Sequence, residues 1–327
     1  MSTIYRWGIV GPGRIAHKFA DALNHIKNAR LQAVASTNAQ RAKDFAQKYS
    51  VPNYYDSYEQ LFSDDRVDIV YVATTNNFHC YNTIDALNAK KHVLCEKPMA
   101  VNASQVKQMI NSAQSNKVFL MEAMWTRFLP MMAEVRDIIE KGTIGQPQLL
   151  HADFGVKFNF DPQSRVYNPN LAGGALLDLG VYCLALASMI FGRPNNISST
   201  IKMADTGVDE RSTVLLEYDN AKAAMLFQAL DLETPRQAFI IGTEGFIKLH
   251  PSWLSGSDYT LKLNNGTEKT YHADTHENGF IYQIMAVHES LNAGKTQCDL
   301  MSLDETLTIA ETMDTLRAQW HFKYPFE

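Results

Sequence analysis

The segment Gly8-Ile9-Val10-Gly11-Pro12-Gly13-Arg14-Ile15-Ala16 sets a Gly-x-Gly-x-x-Ala pattern directly behind an apolar run and at the opening of an amphipathic one. Gly11 suits the tight turn, Gly13 lets the backbone N–H groups around Arg14 and Ile15 approach a pyrophosphate, and Ala16 lets a helix pack close to the strand. A glycine turn of this kind also serves plain packing, but here it follows the first strand of a repeating series, so a dinucleotide is the expected ligand. The next apolar run ends in Ala35-Ser36-Thr37-Asn38, with Arg41 a turn further on. An NAD site usually ends that strand with an acid for the ribose 2′-hydroxyl, and none stands here. Ser36, Thr37 and Asn38 with a guanidinium suit a 2′-phosphate, so NADP is expected, with NAD as the alternative and an ordinary solvated Arg41 as the competing reading. Lys97 comes at the carboxyl end of a further apolar run, where ligands of parallel sheets bind; it is either an acid–base group or one half of an ion pair with Glu96. Asp178 and Tyr182 lie four apart in an apolar helical stretch, hence on one face. The acid needs a partner, and Tyr182 either handles a proton beside it or merely satisfies it. The ten histidines and four cysteines show no metal-ligand spacing, and no Gly-x-Ser-x-Gly elbow is present, so neither metal nor serine-nucleophile chemistry is expected.

The elements that must position these groups follow from periodicity. Up to about Met121, β-branched runs alternate with helical periods: Ile4–Val10 and Ile15–Ile26, Leu31–Ser36 and Gln40–Tyr49, Ile69–Ala73 and Phe78–Ala89, His92–Cys95 and Ala103–Ser115, then Val118–Met121. That alternation predicts an α/β fold with a doubly wound parallel sheet of the Rossmann type. Beyond Trp125 the pattern changes to helices over 131–141 and 174–191, a strand over 147–160, and runs suited to antiparallel strands between Ile197 and Leu263, with two closing helices over 277–292 and 303–319. The expected division is therefore a dinucleotide-binding domain over 1–123 and an α+β domain over 124–327, built on a mostly antiparallel open sheet, for substrate binding and oligomerisation. Its strands offer apolar side chains on both faces, more than one helix layer covers, so a homodimer or higher even oligomer is expected.

With 327 residues, a formal net charge of −5 and 46% hydrophobic residues, the chain has average globular composition, which excludes disorder and a disulfide-stapled miniprotein. No basic run stands ready for nucleic acid or an anionic membrane; the expected partner is a small molecule. Cys80, Cys95, Cys183 and Cys298 lie far apart without a CxxC pair and are expected as reduced thiols. Met1–Tyr5 runs straight into a strand pattern without a secretory leader, so a cytoplasmic location is expected. The apolar stretch Ala175–Phe191 contains Asp178 and Gly180 and is expected as a buried helix rather than a membrane span.

Taken with the glycine fingerprint, Cys95-Glu96-Lys97-Pro98, Met121-Glu122-Ala123-Met124-Trp125-Thr126-Arg127-Phe128 and Gly173-Gly174-Ala175-Leu176-Leu177-Asp178-Leu179-Gly180-Val181-Tyr182 make a sequence that resembles the Gfo/Idh/MocA oxidoreductases over nearly its whole length. Within them it is most similar to the dihydrodiol and NADP-dependent D-xylose dehydrogenases. The resemblance implies that Lys97 faces the nicotinamide, with a cis peptide before Pro98, and that Tyr182 stands where many relatives carry His. Burial beside an oxidised nicotinamide would lower the Lys97 pKa, and a phenol near that lysine would have a depressed one. The resemblance also implies that Thr74-Thr75-Asn76-Asn77-Phe78-His79 runs along the cofactor, with Thr74, Asn76 and His79 as candidates beside Glu96, although His79 reads equally as a helix N-terminal residue. Trp125, Arg127, Phe154, Trp253 and Phe280 are candidates for the substrate wall, or core. The implied reaction is hydride transfer between a nicotinamide and a sugar or vicinal-diol hydroxyl carbon, with Lys97, Tyr182 and Asp178 as the catalytic group. The competing readings on the same fold are a non-catalytic dinucleotide-dependent sensor or corepressor, and NAD-assisted glycoside cleavage.

Overall fold

Ile69-Val70-Tyr71-Val72 is buried at every position, the pattern of a parallel strand covered on both faces. It sits near the middle of a six-stranded sheet formed by β1 (Tyr5–Val10), β2 (Ala29–Ala35), β3 (Asn53–Tyr55), β4 (Ile69–Val72), β5 (His92–Glu96) and β6 (Leu120–Ala123). Their order is β3-β2-β1-β4-β5-β6, and every pairing is parallel. The connecting helices are α1 (Arg14–Leu23), α2 (Ala39–Tyr49), the short α3 (Tyr58–Phe62), α4 (His79–Asn88) and α5 (Ala103–Asn116). Local sequence signals start several of them: Asn38, Ser57 and Asn102 each accept a backbone N–H from the first turn, as N-cap residues do. Phe19 of α1 stacks on Tyr71 with ring centroids 3.7 Å apart, and Trp7 meets Phe19 edge-on at 5.2 Å. Burying each of these rings stabilises the unit by roughly 1.5–3 kcal/mol.

The second sheet has eight strands. After α6 (Pro130–Glu140) come β7 (Pro147–Gly155), a π-helical turn over Leu176–Gly180, α7 (Val181–Phe191), β8 (Asn196–Met203), β9 (Asp209–Glu217), β10 (Ala223–Ala229), β11 (Ala238–Gly242), β12 (Gly245–Leu249), β13 (Asp258–Leu263) and β14 (Glu268–His272). The order is β14-β13-β12-β11-β7-β10-β9-β8; only β7 and β10 pair in parallel. Leu215, Met225, His151, Phe239 and Lys248 lie in one cross-strand row on its outward face, and Met225 is 48% exposed. The inward residues Leu216, Leu226, Leu150, Ile240 and Ile247 are buried.

This computed structural model describes residues 3–327; Met1 and Ser2, where the reading of the N-terminus begins, lie outside them. The chain divides into one unit ending at Trp125 and completed by His276–Leu307, and another of Thr126–Thr275 with Thr308–Glu327. The periodicity had assigned everything after residue 123 to a single second domain. Instead α8 (Phe280–Asn292) belongs to the first unit, and α9 (Leu303–Gln319) contributes residues to both. The reason is a long-range contact that no local pattern carries: the buried Trp7 indole donates to His288 of α8 at 3.1 Å. A second correction concerns the stretch 174–191, which is not one regular helix. Its first residues form the π-helical turn, a device that recurs at functional sites.

Candidate active site

Gly11 takes φ +84°, and a Cβ there would meet the Ala73 carbonyl oxygen and the Thr74 nitrogen at 2.9 Å. Only glycine lets the chain turn so close to the end of β4. At Gly13 a Cβ would touch nothing within 4 Å, so its missing side chain leaves clear space in front of α1. That helix has no side-chain cap and no acid in its first turn. A helix start without a side-chain cap behind clear space is what a pyrophosphate requires; the residues present fit a dinucleotide. Arg14 is exposed and Ile15 half-buried at the start of the helix.

At the end of β2, the Asn38 N–H donates to the buried Ser36 hydroxyl at 3.1 Å, and the Arg41 N–H donates to Asn38 Oδ1 at 3.0 Å. Thr37, Asn38 and Arg41 are exposed, so a polar, carboxylate-free edge stands where the ribose 2′ position of a dinucleotide belongs. Tyr58 bonds Thr37 there, a neighbour that no sequence signal indicated.

Lys97 is half-buried beyond the end of β5, and the Lys97–Pro98 peptide is cis. Its own N–H donates to Glu96 Oε2 at 3.2 Å, and the Tyr71 hydroxyl donates to Glu96 Oε1. Burial raises the Glu96 carboxyl above the ordinary range, against these hydrogen bonds and the nearby Lys97 and Lys18 charges. Lys18 of α1 lies 4.4 Å from the Trp125 ring centre and 4.7 Å from that of Phe280, with its pKa lowered by burial and pulled back by Glu96. Trp125 and Phe280, far apart in sequence, pack at 5.3 Å. Asn76 is buried, and the ring nitrogens of His79 lie 2.8 Å from the Pro98 carbonyl oxygen and 3.1 Å from that of Thr74. His79 therefore ties the loop after β4 to the turn that carries Lys97.

In the second unit Asp178 forms a bidentate pair with Arg165, both bonds 3.0 Å; such fork-to-fork pairs are the strong ones. Tyr182, half-buried at the second position of α7, meets Phe154 edge-on at 5.7 Å. The π-helical turn that carries Asp178 is capped by buried Asp209, whose Oδ2 accepts the Leu176 N–H at 2.5 Å. Burial pushes the Asp209 carboxyl up to about 7, although the Leu176 N–H opposes it. A Cβ at Gly174 would collide with that carboxylate, and the Tyr324 hydroxyl donates to the Gly173 carbonyl at 2.6 Å. Arg127 is buried and donates to the Ala185 carbonyl at 2.7 Å. Trp253 is 1% exposed, and its indole N–H is taken by the Asp153 carbonyl at 3.2 Å.

The candidate residues thus fall into two sets. The first unit gathers Gly11, Gly13, Arg14, Ile15, Ser36, Thr37, Asn38, Arg41, Thr74, Asn76, His79, Glu96, Lys97, Trp125 and Phe280. The second holds Arg127, Phe154, Asp178, Tyr182 and Trp253, of which Phe154 and Tyr182 touch, whereas Arg127 and Trp253 have partners of their own. Sequence reasoning missed Lys18, Tyr71 and Arg165. The one available signal was that an acid in an apolar stretch demands a cation, which identifies no particular arginine.

The chain belongs to the GFO/IDH/MocA oxidoreductase family. Residues 5–124 match its NAD-binding Rossmann-fold model and residues 132–248 its C-terminal domain model. It is with that family an oxidoreductase built on a nicotinamide-dinucleotide-binding domain. Among curated proteins it is 38% identical to trans-1,2-dihydrobenzene-1,2-diol dehydrogenase of Danio rerio, covering 96% of each chain. It is 36% identical to the Mus musculus enzyme of the same name, covering 98% of each. Among solved structures, the fold matches the 3-ketoreductase KijD10 of Actinomadura kijaniata in complex with NADP and TDP-benzene, with TM-score 0.87 at 24% identity over 97% of this chain and 98% of that one. It also matches an aldose-aldose oxidoreductase of Caulobacter crescentus, with TM-score 0.88 at 23% identity over 97% of each chain.

Proposed function

We propose that this chain is an NADP-dependent dehydrogenase acting on a CH–OH carbon of a sugar or vicinal diol, with Lys97 and Tyr182 handling the proton and Asp178 orienting them. What carries the reading is the pairing of an open, uncapped helix N-terminus at Gly13 with a half-buried lysine held at the end of the same sheet. The nicotinamide, when bound, supplies the hydride acceptor or donor. Lys97 or Tyr182 takes the carbinol proton, Arg165 holds Asp178 oriented within the π-helical turn, and Phe154 holds the Tyr182 ring. The names of the diol dehydrogenases at 38% and 36% identity support the substrate class. Four buried free thiols are consistent with a reducing cytoplasm.

Turnover assays with cyclic diols, aldoses and dicarbonyls against NADP(H) and NAD(H) test this. Net NADP(H)-linked turnover is expected, and Arg41→Ala is expected to weaken NADP(H) while sparing NAD(H), since the guanidinium would face only the 2′-phosphate. Dinucleotide binding with no turnover on any substrate would instead favour a sensor, and equal loss of both cofactors in Arg41→Ala would remove the NADP assignment.

We also propose that the outward face of the eight-stranded sheet pairs with a second copy. In the row from Leu215 through Met225 to Phe239, Leu215 and Met225 are 37% and 48% exposed, apolar area that a second copy would cover. Light scattering should return at least twice the 36.8 kDa chain mass, and Met225→Lys with Phe239→Lys should return a monomer. A wild-type monomer at micromolar concentration refutes the pairing.

A further inference from the structure

Glu122 stands on the strand next to that of Lys97, opposite Cys95 in the parallel register of β5 and β6. Its Oε1 accepts the Met99 N–H at 2.9 Å. On the other side of the turn, His79 Nδ1 lies 2.8 Å from the Pro98 carbonyl oxygen, an atom that only accepts, so the ring nitrogen donates. The Pro98 carbonyl and the Met99 N–H are the two polar ends of one peptide unit. That unit, immediately past Lys97 and Pro98, is therefore gripped at both ends by side chains that are 2% and 1% exposed. Glu122 Oε2 is buried without a hydrogen-bond partner, with Thr306 and Glu305 of α9, Lys97 and Cys95 around it. Burial pushes the group up to about 7, so keeping an acid here costs stability. The second ring nitrogen of His79 lies 3.1 Å from the Thr74 carbonyl oxygen, against whose backbone Gly11 packs.

We propose that Glu122 and His79 are positioning residues which act through the Pro98–Met99 peptide to aim the Lys97 side chain. This rests on the assignment of Lys97 to proton handling. Glu122 bears on the lysine turn alone, whereas His79 also reaches the Thr74 backbone beside Gly11.

The test compares Glu122→Ala, Glu122→Gln, His79→Leu and Lys97→Met in the full chain, by kcat, KM, NADPH affinity from nicotinamide fluorescence, and melting temperature. Glu122→Ala should lower kcat by roughly 10- to 100-fold, as misplacement by about an ångström does, with KM and NADPH affinity little changed; His79→Leu should lower kcat by as much and also weaken NADPH, because it releases the Thr74 backbone as well. Glu122→Gln keeps an oxygen for the Met99 N–H and should restore kcat to near wild type, which a loss of general stability would not. If Glu122→Ala does not fold, His79→Leu carries the same comparison from the other end of the peptide. Wild-type kcat in a folded Glu122→Ala or His79→Leu, or a Gln variant as slow as the Ala variant, overturns the proposal. With Lys97→Met inactive, such a result leaves the lysine assignment standing; an active Lys97→Met overturns both.

Discussion

Lys97→Met is expected to abolish turnover while leaving NADP(H) affinity within a few-fold of wild type. The lysine's backbone is anchored independently of its side chain, by its own N–H on Glu96, and Glu96 is held in turn by Tyr71. Methionine keeps the length and apolar stem and removes the ammonium alone. Loss of a positioned acid–base group costs on the order of 10²–10⁴ in rate. Tyr182→Phe should fall in the same range, because the ring that packs on Phe154 is retained and only the hydroxyl goes. Residues that serve one proton transfer are not additive, so the double variant should be little slower than the slower single one. Steady-state rates beside cofactor fluorescence decide this. A Tyr182→Phe enzyme at near wild-type rate removes the shared role, and an active Lys97→Met removes the site.

Asp209→Asn with Glu122→Gln is expected to make the protein markedly more stable than wild type at alkaline pH and little different at acid pH. Burial lifts the two carboxyls to about 7 from ordinary values of 3.8 and 4.5. The unfolded chain therefore gives up protons that the folded chain retains. Stability is undiminished by these groups below about pH 4, falls as pH rises towards 7, and levels off above it. At about 1.4 kcal/mol per pKa unit the loss is on the order of 3–4 kcal/mol for each group. The amide variants keep oxygens for the Leu176 and Met99 N–H groups and cannot ionise. Their melting temperature should match wild type near pH 3.5, below both unfolded values, already exceed it somewhat near pH 5, and exceed it by roughly 5 °C or more near pH 8.5. Parallel melting curves across that range would refute the assignment of both buried acids.

How much could be read before folding depends on how local each feature is. Gly11 and Gly13 act through their own backbone and the helix that follows, so spacing alone located them. The alternation of β-branched runs with helical periods defines a doubly wound sheet, because strand burial on two faces writes itself into composition. The missing acid at Ser36-Thr37-Asn38 needs only the end of one strand. The short β3 and α3 were too brief to show a period. The partner of Asp178 lay thirteen residues away in an irregular loop, where any of several basic residues met the same electrostatic demand. Folding also set Phe280 against Trp125 and Lys18, returned 276–307 to the first unit, and gave His79 and Glu122 the two ends of one peptide. Periodicity reports which face of an element is buried. Which groups meet there depends on contacts between segments that share no local pattern.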